Sequence, residues 1–378
     1  MNKTAIKNFA IWARNKIIAD VKYQAGLIGI TENGISNKLP QSVGMTEFYD
    51  IGTDTPYQIT GDAIKQRDNL VRLLNNKAHE SNYKTAYKYI LEEVAYSWFN
   101  RLIAIRFMEV NDYLPGHIRV LSSESDGKLE PDIVSDPFNS DLSFSQQEIS
   151  AVTEMKKNND LDGLFKMLFI KTCNSLNSLL PGLFEETADY SELLLNLSVV
   201  DQDGVVSRLI HDIPEEDFDV KRGGQVEIIG WLYQYYNTDP KNEAFAKNGK
   251  TTKDEIPAVT QLFTPDWIVR YMVENSLGRL WLDGHPNNEL KENWKYYMDE
   301  AEQEPEVQAQ LQKIREEHAK LTPEDIRLID PCMGSGHILV YAFDVLIQIY
   351  ESVGYNKRDA AVKILENNIY GLDIDDRA

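Results

Sequence analysis

Asp330 and Asp373 bracket the part of this 378-residue chain whose residue types invite chemistry. Between them lies Pro331-Cys332-Met333-Gly334-Ser335-Gly336, where the glycines let a backbone approach a ligand closely. A helix starting behind such a turn offers unpaired N–H groups and positive potential. Three ligand classes use this device, and spacing separates them. A dinucleotide turn needs a third glycine three residues after the second, and Leu339 stands there. A P-loop string does occur, from Ala244 to Gly249-Lys250-Thr251, but Asn237-Thr238-Asp239-Pro240 precedes it instead of a buried strand. That string reads as a chance match in a linker. S-adenosylmethionine is the third class. Asp330 suits its amine, Gly334 and Gly336 leave room for its methionyl chain, and Asp373, 37 residues past Gly336, suits its two ribose hydroxyls. The competing reading is a βαβ turn with incidental acids.

The residues around the turn predict the elements that must position it. Residues 326–330 read as a short strand ending in an acid. From His337 to about Ser352, Ile338, Tyr341, Ala342, Val345, Leu346 and Ile349 share one helical face. Gly354 should end that helix, residues 357–367 should form another, and 368–373 a second strand. Upstream, Thr264-Pro265-Asp266 predicts a helix start with Thr264 as N-cap, the helix running to about Trp281. Residues 283–325 hold 12 acids against 5 bases and read as a charged helical insertion on the surface.

Residues 1–245 read as mainly helical. Phe9, Ala13, Ile17 and Val21 form one stripe. Tyr87, Ile90, Leu91, Val94, Ala95, Trp98, Leu102 and Ile105 form a wider one that should be core. Residues 122–160 turn polar, with Gly127, Pro131 and Pro137, and predict a long loop ending in a short helix. Residues 161–180 and 225–236 resume helical spacing, the latter stopped at 237–240, with a linker to 254. This predicts a helical domain over 1–245 and a different one over 246–378.

Bulk properties narrow the class. Thirty-nine bases against 60 acids leave a net charge of −21, which opposes nucleic-acid binding overall, so a DNA-binding role must be argued from elsewhere. Arg101, Arg106 and Arg119 are candidates for a DNA-facing surface, with solvated arginines the plainer account. The apolar content is that of a globular chain, excluding disorder and collagen-like structure. Two cysteines, Cys173 and Cys332, make neither a disulfide framework nor a metal cluster. Cys173 reads as core and Cys332 as a packed loop thiol. The longest apolar runs are too short for a membrane span or a secretory signal, so a cytoplasmic protein is expected.

Residues 330–339, Asp-Pro-Cys-Met-Gly-Ser-Gly-His-Ile-Leu, resemble motif I of adenine-specific DNA methyltransferases. Leu262-Phe263-Thr264-Pro265 and its helix resemble motif X, just upstream of motif I in the gamma order of these enzymes. Ile369-Tyr370-Gly371-Leu372-Asp373-Ile374-Asp375 resembles motif II. Ile228-Ile229-Gly230-Trp231-Leu232-Tyr233 is similar to the modification subunits of type I restriction systems and their fused relatives. Residues 7–14, 95–102 and 105–109 resemble the start of the PglX adenine methyltransferases of BREX phage-defence systems.

The resemblance implies a mainly α amino-terminal domain followed by the start of an α/β Rossmann-like domain that binds S-adenosylmethionine. It implies that Asp330, Gly334 and Gly336 line the methionyl half of the cofactor, with Cys332 and Ser335 completing the loop. Thr264 and Pro265 would touch the same end, and Asp373 the ribose; His337 would pack or cap. The reaction implied is methyl transfer to the exocyclic amine of adenine in double-stranded DNA, in phage defence or restriction–modification, with other defence-system proteins as candidate partners. The family's Asn/Asp/Ser-Pro-Pro-Tyr/Phe motif, which holds the flipped base, follows motif II in the gamma order, and this chain contains no Pro-Pro. The chain is therefore expected to be an amino-terminal piece with no catalytic residue of its own, methylating no DNA alone and binding cofactor weakly. Two other classes stay open: a methyltransferase of protein, RNA or a small molecule, and a non-catalytic interaction module.

Overall fold

A computed structural model describes residues 1–125, 127–185, 189–247 and 249–375. The chain is mostly helical and divides into two compact units, Met1–Asp239 and Pro240–Ala378.

The first unit opens on α1 (Lys3–Leu27), followed by two antiparallel hairpins. These are β1–β2 (Ile30–Thr31 with Gly34–Ile35) and β3–β4 (Thr46–Tyr49 with Tyr57–Thr60). Then come α2 (Asp62–Glu80), α3 (Tyr83–Val110), α4 (Asp132–Ser135), α5 (Gln146–Lys157) and α6 (Leu161–Leu176). α7 (Asp189–Leu194), α8 (Val205–Asp212), α9 (Glu215–Phe218) and α10 (Glu227–Tyr236) complete it. All four stripe residues of α1 and all eight of α3 are buried, so both stripes are core. α1 and α3 run antiparallel, with Phe9 stacked on Phe99 and Arg14 paired with Glu92 at 2.9 Å.

Three local expectations are corrected in part here. Residues 30–60 fold as hairpins, because Phe48, Tyr49, Tyr57 and Ile59 favour extended backbone. The polar loop forms α4 and a 3-10 turn at Pro137–Asn139 along its length, and ends as expected in a short helix, α5. α5 starts at Ser145, whose side chain accepts from the Glu148 N–H while Glu148 accepts from the Ser145 N–H, a reciprocal cap. α10 does stop at Tyr236, with Asn237 as its C-cap, but the expected linker opens with a further helix, α11 (Thr238–Ala246), with Pro240 in its first turn, where a missing N–H costs nothing.

The three arginines considered for DNA bond within the unit, Arg101 and Arg106 buried and Arg119 half-buried. Arg101 donates to the Glu185 carbonyl. Arg106, 1% exposed, pairs with Glu109 at 2.8 Å and Glu215 at 3.1 Å. Arg119 binds both oxygens of Glu215. Glu109 also accepts from the Val120 and Leu121 N–H groups, so the charges are compensated inside the unit.

The second unit continues with α12 (Ile256–Thr260) and α13 (Asp266–Val273), then a π turn at Glu274–Gly278 and α14 (Arg279–Gly284). α15 (Asn288–Asn293) and α16 (Pro305–His318) fill the acidic segment. Gly284 lies so close to the backbone at His318 that a Cβ there would collide. β5 (Leu328–Asp330), α17 (His337–Ser352), α18 (Lys357–Asn367) and β6 (Ile369–Gly371) follow. β5 and β6 are parallel, with Leu328 opposite Ile369, Ile329 opposite Tyr370 and Asp330 opposite Gly371. Ala342, Val345, Leu346 and Ile349 of α17 pack with Ala360 and Ile364 of α18 beneath them. Among the described residues no helix is long and apolar enough to cross a membrane.

Candidate cofactor site

Past the strand ends, the backbone is locked. The Leu372 N–H donates to the Asp330 carbonyl at 2.9 Å, and the Met333 N–H to the Leu372 carbonyl at 2.9 Å. Gly334 (φ +53°) and Gly336 (φ +77°) take the left-handed conformation that L side chains resist. Gly336 caps α17, which starts at His337. A side chain at Gly334 would also project into open space, so the turn is bare on that side.

The two carboxylates meet this loop from different strands. Asp330, buried at the end of β5, accepts from the Cys332 N–H through Oδ1 at 3.0 Å. Its Oδ2 is buried and has no hydrogen-bond partner, which costs about 1–3 kcal/mol, more for a charged group. Asp373, just past β6, accepts from the Gly334 N–H through Oδ2 at 2.7 Å and from the Asp375 N–H through Oδ1 at 2.8 Å. Asp330, Cys332, Gly334 and Asp373 are thus joined by hydrogen bonds around one turn. Ser335 is exposed beside them.

The segment before α13 reaches the same helix. Phe263 stacks on His337 with ring centroids 4.5 Å apart, so His337 packs as expected. Arg270 lies 4.6 Å over the Tyr341 ring, and the Tyr341 hydroxyl donates to buried Glu274 at 2.7 Å. Burial, then the bond to Glu274, push that hydroxyl well above the usual tyrosine range. Glu274 also accepts from the Tyr296 N–H, so the π turn aims one carboxylate at two elements. Thr264 is half-buried and Pro265 exposed next to Phe263. Thr264 does not cap the helix: Pro265 takes the cap position, with no side-chain bond, because helical backbone starts one residue later at Asp266.

Cys332 is exposed, not packed, because the bare turn gives it nothing to pack against. Cys173 is core as expected, and burial pushes its thiol up to about 12. The P-loop string begins inside α11 and follows no strand; its Asn248 lies outside the described residues. Three residues that position the turn escaped the sequence reading. Asn368, fully buried, donates to the Pro323 and Ile326 carbonyls and accepts from the Tyr350 hydroxyl, tying both strands to α17. Gly371 leaves space for the Met333 side chain, which a Cβ would strike. An asparagine between a helical pattern and a strand pattern was the available signal for the first; the Met333–Gly371 contact left none.

The site is therefore a parallel strand–turn–helix unit with an acid at each strand end, a geometry that elsewhere serves nucleotide-like cofactors. No family model matches the chain. By sequence it is similar to adenine-specific methyltransferases of the PglX type. It is 48% identical over its whole length to adenine-specific methyltransferase PglX of Lacticaseibacillus casei (strain Zhang), covering 32% of that protein. It is 39% identical, again over its whole length, to adenine-specific methyltransferase BrxX of Escherichia coli O9:H4 (strain HS), covering 30%. The chain thus spans about a third of the length of these curated relatives. A Methanocaldococcus jannaschii protein, whose name pairs a type II restriction enzyme with a methyltransferase, is 32% identical over 127 residues, covering 31% of this chain and 11% of that protein.

Proposed function

We propose that the chain contributes the methyl-donor side of an S-adenosylmethionine-dependent, adenine-specific DNA methyltransferase acting in phage defence or restriction–modification. The observation that carries this reading is the buried, unpartnered Oδ2 of Asp330 at the start of a turn whose Gly334 faces open space. A buried anion without a donor calls for one, and the ammonium of a methionyl group is such a donor. Asp373 retains lone pairs beyond its two N–H bonds, enough to accept from a pair of ribose hydroxyls. Thr264, Pro265, Cys332, Ser335 and Gly336 complete the proposed lining. S-adenosylmethionine, when bound, supplies a methyl group activated by its sulfonium.

The relatives' names support the reaction class and adenine as acceptor. The chain contains no Pro-Pro, and its proposed share is the donor side. The incomplete Rossmann-like sheet belongs to this proposal, as does a domain organisation of 1–245 and 246–378. So do double-stranded DNA and other defence proteins as partners, and a cytoplasmic location. A hybrid tests it: this chain replaces the homologous third of the L. casei relative, and adenine methylation of host DNA is read by sequencing. Methylation should survive the exchange and vanish with Asp330→Asn or Gly334→Val. Undiminished methylation by both variants would refute the assignment.

A further inference from the structure

The acid excess is not spread evenly. From Asn69 to Leu91 the chain carries Arg72, Lys77, Lys84 and Lys88, plus His79, against a single acid, Glu80. Elsewhere acids dominate, 60 against 39 in the whole chain. This stretch forms the closed end of the α2–α3 hairpin, held by Lys77, whose Nζ lies 3.9 Å from the Tyr89 ring centroid. Arg72, Asn75, Asn76, Lys84, Thr85 and Lys88 are all exposed there. Of the neighbouring acids, several are engaged elsewhere or stand apart. Glu92 is committed to Arg14 at 2.9 Å and reaches Lys88 only at 4.0 Å, Glu32 pairs with Lys22, and Asp68 stands one turn away along α2.

Cations mixed with amides and hydroxyls on one rigid surface are the set that contacts phosphates and sugars without reading sequence. We propose that the closed end of the α2–α3 hairpin docks the backbone of double-stranded DNA. This rests on DNA being the substrate, and it answers the difficulty of a −21 chain on a polyanion: contact is confined to an acid-poor surface. Arg101, Arg106 and Arg119 are spent on internal pairs and leave this surface as the candidate.

Fluorescence anisotropy with a short labelled duplex tests it in the 378-residue chain. The hairpin variant is Arg72→Glu/Lys84→Glu/Lys88→Glu; the control, Lys295→Glu/Lys313→Glu/Lys320→Glu, makes the same net-charge change on exposed lysines elsewhere. The hairpin variant should lose at least about tenfold in affinity at low salt and flatten the log–log salt dependence by roughly 2–3. The control should stay within about threefold, and an alanine triple at the hairpin should fall between. No duplex binding by the unaltered chain, equal losses in both glutamate variants, or tighter binding of single-stranded RNA or polyglutamate would each overturn the proposal. S-adenosylmethionine uptake by the hairpin variant keeps the two readings apart: uptake intact with DNA lost leaves the donor-site assignment standing.

Discussion

Asp330 is held in a position that a free-standing protein would avoid. Oδ1 is satisfied by the loop, while Oδ2 is buried and unmet. Such a cost persists where a ligand repays it. Asp330→Asn preserves an acceptor for the Cys332 N–H and removes the buried anion. It should raise stability in urea by about 1 kcal/mol while weakening cofactor binding. A lowered or unchanged urea midpoint would mean that the oxygen is not under strain in the unliganded protein. The residue types were legible: two acids and two glycines at this spacing name the turn. What sequence could not reveal was that Asp373 is held by the Gly334 N–H, or that Met333 leans on Gly371, since both depend on strand pairing.

At the scale of elements, the periodic segments and the two strands beside the turn were legible, and the hairpins were not. α17 and α18 fall at the expected residues because their apolar faces repeat over three or more turns. β5 and β6, three residues each, carry no period of their own but were marked by the acid that follows each short apolar run, whereas the hairpins at 30–60 were hidden by polar neighbours. The cap that nucleates α5 also predicts a pH response. Bonds to Lys171 first, then to Ser145, hold the Glu148 carboxyl down to about 2 from an ordinary 4.5. A depressed carboxylate stabilises the fold above its unfolded pKa and loses that contribution as pH falls. Both partners are partly exposed, so the contribution is no more than about 1 kcal/mol. Hydrogen-exchange protection in α5, taken relative to the intrinsic exchange rate at each pH, should therefore fall between pH 4.5 and about 2, and Glu148→Gln should flatten the response. Protection that does not change across that window in the unaltered chain would remove the cap from the account.

Considered whole, the second unit bears exposed apolar side chains at its strand pair. Ile329 and Tyr370 lie opposite each other on β5 and β6, Leu372 and Ile374 follow β6, and all are exposed. Parallel sheets are ordinarily covered on both faces, and bare apolar surface of this kind drives association. Sedimentation of the chain should show concentration-dependent mass, which Leu372→Lys/Ile374→Lys abolishes. A monomer at every concentration would show that the face is tolerated in water.

The central claim, that two carboxylates and a glycine turn hold the methyl donor, is tested most directly by ligand uptake. S-adenosylmethionine with an isotope-labelled methyl group is titrated into the chain while that resonance is followed. Weak saturable binding is expected, reduced at least about tenfold by Asp330→Asn and by Asp373→Ala separately. Binding of equal strength in the unaltered chain and in both variants would contradict it.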